Sequence, residues 1–169
     1  IDPKTGNERH LTFTGMVSSR PALSSTGRVW WTEYRRSLVF AEKISSQIYY
    51  LDIGDNKPKR LRQKGNIIFA TPTEDDTLAW VEYGYDGSYS VTTYSLGRVR
   101  RRTTIEQGKE VHGMAWDNAT KRLYLLITDD DGMHIAHLNE GKLQKVTRPA
   151  YTTLSDLRAK DGKLYQRTH

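Results

Sequence analysis

Three groups of residues in this 169-residue chain have the types and spacing for chemistry: the histidine pair His134 and His137, the acidic run Asp129, Asp130, Asp131 before Gly132, and the basic stretch Arg98, Arg100, Arg101, Arg102. Two histidines three apart share a face on a helix but point to opposite faces on a strand, which is poor geometry for one metal ion. The acidic run fails as a calcium loop. With Asp129 at position 1, Asp131 at 3 and Glu140 at 12, His134 falls where the sharp turn needs glycine and Met133 falls on a ligand position. A tight hairpin turn is the simpler use of such residues. No G-x-S-x-G elbow is present, since "GYDGSYS" has the wrong spacing, and there is no H-E-x-x-H helix. "GMAWDNATK" lacks the Gly-Lys-Ser/Thr ending of a phosphate loop. Cysteine is absent, which excludes disulfides and thiolate chemistry in this chain. The remaining histidines, His10, His112 and His169, stand apart from one another in sequence. We therefore assign no catalytic residue, no metal ligand and no cofactor from the sequence.

The arginines leave one binding reading open. In a regular strand Arg98, Arg100 and Arg102 share a face and Arg101 takes the other. They are either a solvated strand beside a turn or contacts to an anionic partner such as nucleic acid or lipopolysaccharide. Net charge is +6. It is spread over both halves rather than gathered in a tail, so nucleic acid is not the expected partner. A hydrophobic share of 36% and a charged share of 27% mark an ordinary globular chain. No apolar run reaches the roughly 20 residues of a membrane-spanning helix. The start, "IDPKTGNERH", lacks the plan of a secretory signal and an initiator methionine, so we expect a segment cut from a longer polypeptide.

The elements that position these residues repeat. Ile48, Val91 and Ile135 head similar segments at steps of 43 and 44 residues, and Val29, Leu78, Leu123 and Leu164 recur at steps of 49, 45 and 41. A period in this range is that of propeller blades. Segments such as "VWWTEY", "LAWVEY" and "YSVTTY" are rich in aromatic and β-branched residues, and turn clusters end at Gly27, Gly87, Gly132 and Gly162. "RRSLVFAEKISSQ" comes nearest to a helix but is short and uncapped, and reads as an elaborated connection. The expected fold is all-β: a β-propeller with about three complete four-stranded antiparallel blades and partial blades at both ends. Residues 1–15 end a preceding blade through a strand at His10–Gly15. The blades span 16–64, 65–108 and 109–148, and 149–169 begin another. Tyr49, Tyr50, Trp80, Tyr94, Trp116, Leu125 and Leu138 are the expected cement between blades.

"RPALSSTGRVWW", with Pro21, Ser24, Gly27 and Trp30, resembles the WD40-like (PD40-type) repeat of TolB-type propellers, with Ser25 and Thr26 where Pro and Asp usually stand. "ATPTEDDTLAW", "MAWDNATKRLY" and "LSDLRAKDGKLY" are its later copies. The resemblance implies a non-catalytic scaffold or protein-interaction module with a protein partner, in the periplasm, the cell envelope or a secreted protein. Because peptidases of the tricorn and prolyl-oligopeptidase kinds carry similar repeats, it also allows a propeller that gates a separate catalytic domain. Incomplete end blades further suggest a homodimer in which each chain completes the other.

Overall fold

The computed structural model describes residues 4–17, 19–36, 44–63, 65–74, 77–95 and 97–169. Their strands form antiparallel meanders in which each strand pairs with its neighbours in sequence. Sheet one holds β1 (Ala22–Leu23), β2 (Arg28–Arg36), β3 (Ile44–Asp52) and β4 (Lys59–Arg60). Sheet two holds β5 (Ile67–Pro72), β6 (Leu78–Tyr83), β7 (Tyr89–Ser95) and β8 (Arg98–Thr104). Sheet three holds β9 (Glu110–Asp117), β10 (Arg122–Asp129), β11 (Gly132–Asn139) and β12 (Lys142–Lys145). A fourth sheet has β13 (Leu154–Lys160) and β14 (Lys163–Thr168). No helix occurs among the described residues. The architecture is a β-propeller, with the first strand of each sheet innermost and the fourth at the rim.

Composition follows position within a sheet. β6 (LAWVEY) and β10 (RLYLLITD) are buried on both faces over five consecutive residues, because each lies mid-sheet with another sheet on either side. β8 (RVRRRTT), at the rim, is exposed almost throughout. Apolar side chains gather in layers between successive sheets. Trp30, Ile48, Ile67, Leu78 and Trp80 fill the first layer, with Tyr50 and Tyr94 against them. Val81, Val91, Leu125 and Ile127 fill the second, joined by Trp116 and Leu138. Leu126, Ile135, Leu154 and Leu157 fill the third. Trp80 is fully buried, and its ring lies 5.6 Å from that of Tyr94.

Three expectations need correction. Tyr49 does not join the layer between sheets one and two: it packs with Trp31 and Leu51 on the opposite face of sheet one, because alternation sends it away from Tyr50. The segment His10–Gly15 forms no strand. A strand needs a neighbouring ladder, and the pairing that does form comes just after it, where Tyr34 donates its amide to the Met16 carbonyl and Val17 bridges Glu33. The described ends of "RRSLVFAEKISSQ" are strand, Arg35 and Arg36 closing β2 and Ile44 to Gln47 opening β3. Residues 37–43 lie outside the described residues.

Candidate functional site

Strand direction alternates within each meander, so the two ends of the propeller differ. The first-to-second and third-to-fourth hairpins lie at one end. The second-to-third hairpins and the links between sheets lie at the other, here termed the connector end. The link before β13 is tied down there, with Met133 and Ala150 exchanging both backbone hydrogen bonds at 2.9 and 2.8 Å.

The inner strands surround a cavity of about 450 Å³ whose walls include Phe69, Met114, Trp116 and Leu157. Its polar groups come from sequentially remote places: Arg20 just before β1, His112 in β9, and Asp156 and Arg158 in β13. The inner strands begin at the connector end, so Arg20, His112 and Asp156 stand near that mouth, and Arg158, the fifth of the seven residues of β13, lies deeper along the wall. An Arg20 Nη1 lies 3.6 Å from Asp156 Oδ1, and an Arg158 Nη2 lies 3.8 Å from Asp156 Oδ2. Both separations exceed hydrogen-bond length, so the carboxylate attracts two guanidinium groups without occupying their donors. A planar fork with free N–H groups is suited to receive a carboxylate or phosphate in bidentate fashion. Asp156 has φ 58°, a left-handed backbone that is rare outside glycine, and it sits where the β13–β14 register shifts between Ser155 and Arg158. His112 Nε2 lies 3.5 Å from Glu110 Oε2. Trp116 carries its indole N–H buried in the wall with no hydrogen-bond partner among the described residues.

Around this mouth the connector end exposes aromatic side chains. Tyr85 is 99% exposed and Tyr151 is 93% exposed, and Tyr34 and Tyr83 are also exposed. Tyr83 and Tyr89 hold their rings 5.0 Å apart at the base of the hairpin that carries Tyr85. Aromatic side chains beside arginines form a surface suited to binding protein.

The residues singled out in sequence lie elsewhere. A register shift between Thr93 and Tyr94 makes Arg100 the extra residue of a bulge, with Arg101 opposite Thr93 and Arg98 opposite Ser95. Arg98 therefore shares a face with Arg101, not with Arg102, which lies opposite Thr92. Arg102 is paired with Glu82 at 2.7 Å, and Arg101 donates to the Glu140 carbonyl at 2.7 Å. Arg98 and Arg100 are exposed. His134 and His137 do face opposite ways, opposite Ile127 and Tyr124 respectively. His134 is buried beside Asp129 at 3.7 Å, and burial and the charge of Arg122 hold His137 toward its neutral form. Asp130 and Asp131 form a two-residue hairpin turn. Lys145 reaches Asp131 at 2.6 Å and Asp129 at 3.4 Å, and its hydrogen bond holds the Asp131 carboxyl below the ordinary range. Among the described residues no group of three or more His, Cys, Asp or Glu is placed to hold a metal ion. Among them, too, no helix is long and apolar enough to cross a membrane.

The sequence matches no protein-family model and no curated protein. Among solved structures the chain is similar to a gluconolactonase from Xanthomonas campestris, with a TM-score of 0.62 and 14% identity over 88% of this chain and 52% of that one. It spans about half of that enzyme's length. The β-propeller domain of the Trilobed protease from Pyrococcus furiosus matches with a TM-score of 0.49 and 12% identity, over 90% of this chain and 64% of that one. At such identity the likeness concerns the fold.

Proposed function

We propose that the protein is a non-catalytic β-propeller interaction module of the TolB-like kind its repeats resemble, docking a protein partner on its connector end in a periplasmic or secreted setting. The observation that carries this reading is the grouping on that end of Tyr34, Tyr83, Tyr85 and Tyr151 around the mouth of a cavity that holds Arg20, His112 and Asp156 near its entrance and Arg158 deeper in its wall. Tyrosines supply large contact area at low conformational cost, and the two arginines offer a carboxylate of the partner a fixed place to enter. Capture from a cell-envelope extract tests it, comparing the wild type with Tyr85→Ser/Tyr151→Ser and with Arg20→Ala/Arg158→Ala. Loss of the same protein from both variants is expected. Capture identical to wild type would overturn the reading, as would hydrolysis of a lactone, ester or peptide that is abolished by His112→Ala.

A further inference from the structure

The outermost strands of the three four-stranded sheets share a feature that the connector end does not explain. β4 contributes Lys59 and Arg60; β8 contributes Arg98, Arg100, Arg101 and Arg102; β12 contributes Lys142 and Lys145. That is eight cations and no carboxylate in thirteen residues, and all eight are exposed. The chain as a whole has a net charge of +6, so everything outside the rim strands is on balance acidic. A charge or two per strand is enough to keep sheet edges from pairing with one another. A surplus confined to one sign, repeated on three successive sheets, asks for a ligand of the opposite sign.

Part of this charge is neutralised locally. Lys59 meets Asp55 at 2.8 Å, Lys145 meets Asp131 at 2.6 Å and Arg102 meets Glu82 at 2.7 Å. Arg60 donates to the Gln47 amide oxygen at 3.2 Å, and it, Arg98, Arg100, Arg101 and Lys142 form no ion pair among the described residues. The bulge at Arg100 turns Arg98 onto the face of Arg101, and Arg101 reaches the turn of sheet three that leads directly into Lys142. Four of these five unneutralised cations thus run from the rim of sheet two onto that of sheet three, and Arg60 stands on the rim of sheet one.

We infer that this rim binds a linear anionic polysaccharide. The rim of a propeller is convex, so a flat lipid surface would touch one sheet edge at a time, whereas a chain of repeating anionic groups can follow β4, β8 and β12 in turn. The thirteen residues include no aromatic side chain, so bases of a single-stranded nucleic acid would find no stacking platform there. Recognition rests on sulfate or carboxylate charge, with a salt dependence of about one counterion per contacting cation.

The test is fluorescence anisotropy of a labelled heparin decasaccharide over a salt series. It compares the wild type, Arg98→Ala/Arg100→Ala/Lys142→Ala, and a control, Lys160→Ala/Lys163→Ala/Arg167→Ala, which removes the same charge from the fourth sheet. The rim triple is expected to weaken binding at least about tenfold and to lower the salt slope by about three, the control by less than about twofold. If the rim triple does not fold, Arg98→Gln/Arg100→Gln is expected to lower the slope by about two. Equal loss in the rim and control variants would overturn the proposal. So would a single-stranded oligothymidylate, or vesicles of phosphatidylglycerol, bound more tightly than the decasaccharide through the same residues.

Discussion

Asp117, at the end of β9, accepts the backbone amide of Gly162, which belongs to the hairpin of the next sheet, at 3.1 Å from one carboxylate oxygen and 3.3 Å from the other. The same carboxylate accepts the Thr120 hydroxyl at 2.6 Å and the amides of Ala119 and Thr120 at 3.4 and 3.2 Å. One fully buried side chain thus fixes a turn in sheet three and fastens the fourth sheet to it. Replacing it with alanine leaves these donors unsatisfied. We expect Asp117→Ala to lower Tm by several degrees and Asp117→Asn, which retains an acceptor, by less; a thermal melt of the three proteins checks the order.

The same contact predicts a pH dependence. Hydrogen bonds, the Thr120 hydroxyl foremost, hold the Asp117 carboxyl below its ordinary range. The unfolded chain therefore takes up the proton first as pH falls, and stability rises with pH wherever the unfolded state binds more protons. The stabilisation is full above the ordinary carboxylate range and is lost as pH drops through the lowered value. Asp52, held low chiefly by its hydrogen bond to Arg28, adds to the same limb. Between about pH 5 and pH 2 the Tm of the wild type is expected to fall more steeply than that of Asp117→Asn.

Trp80 fills the layer between sheets one and two and is fully buried. Trp80→Ala removes that volume where the facing sheets cannot fully close, and we expect a loss of about 3–5 kcal/mol in chemical denaturation. Trp80→Phe should cost well under half of that, because the indole N–H has no hydrogen-bond partner among the described residues to lose.

Gly132 closes the β10–β11 hairpin with φ 115°, and a Cβ added there would lie 2.8 Å from the Ala150 carbonyl oxygen. Both the backbone conformation and the close approach exclude a side chain. Gly132→Ala is expected to cost about 1–3 kcal/mol and to loosen the 146–153 link, visible as faster hydrogen exchange at Ala150.

The sheets were legible in the sequence because each repeat carries its own aromatic strand and turn glycine. "LAWVEY" and "RLYLLITD" read as strands without reference to anything distant. The channel mouth was not legible. Arg20, His112 and the pair Asp156 and Arg158 come from three separate repeats and differ in type, so no local motif joins them; the placement of Arg20, His112 and Asp156 near the start of an inner strand is the signal that could have found them. The bulge at Arg100 was hidden for a related reason, since it depends on the register against β7 rather than on the arginines themselves. A strand at His10–Gly15 was expected from the register of the repeats, but a repeat register supplies no ladder to pair with.

The apolar layers of this propeller each belong to two sheets and none belongs to all of them. Cohesion is therefore passed from neighbour to neighbour, as along a stack, and damage to one layer weakens the two sheets that share it while sparing the others. The two-stranded sheet is held by one such layer, by the Asp117 carboxylate and by the Met133–Ala150 pair in the link before it, with no third or fourth strand among the described residues to add to them, and so it is the place where unravelling starts. Amide protection should rise from β14 inward to β10, and a pulling force applied at the C-terminus should strip the fourth sheet away as a separate event before the inner sheets yield.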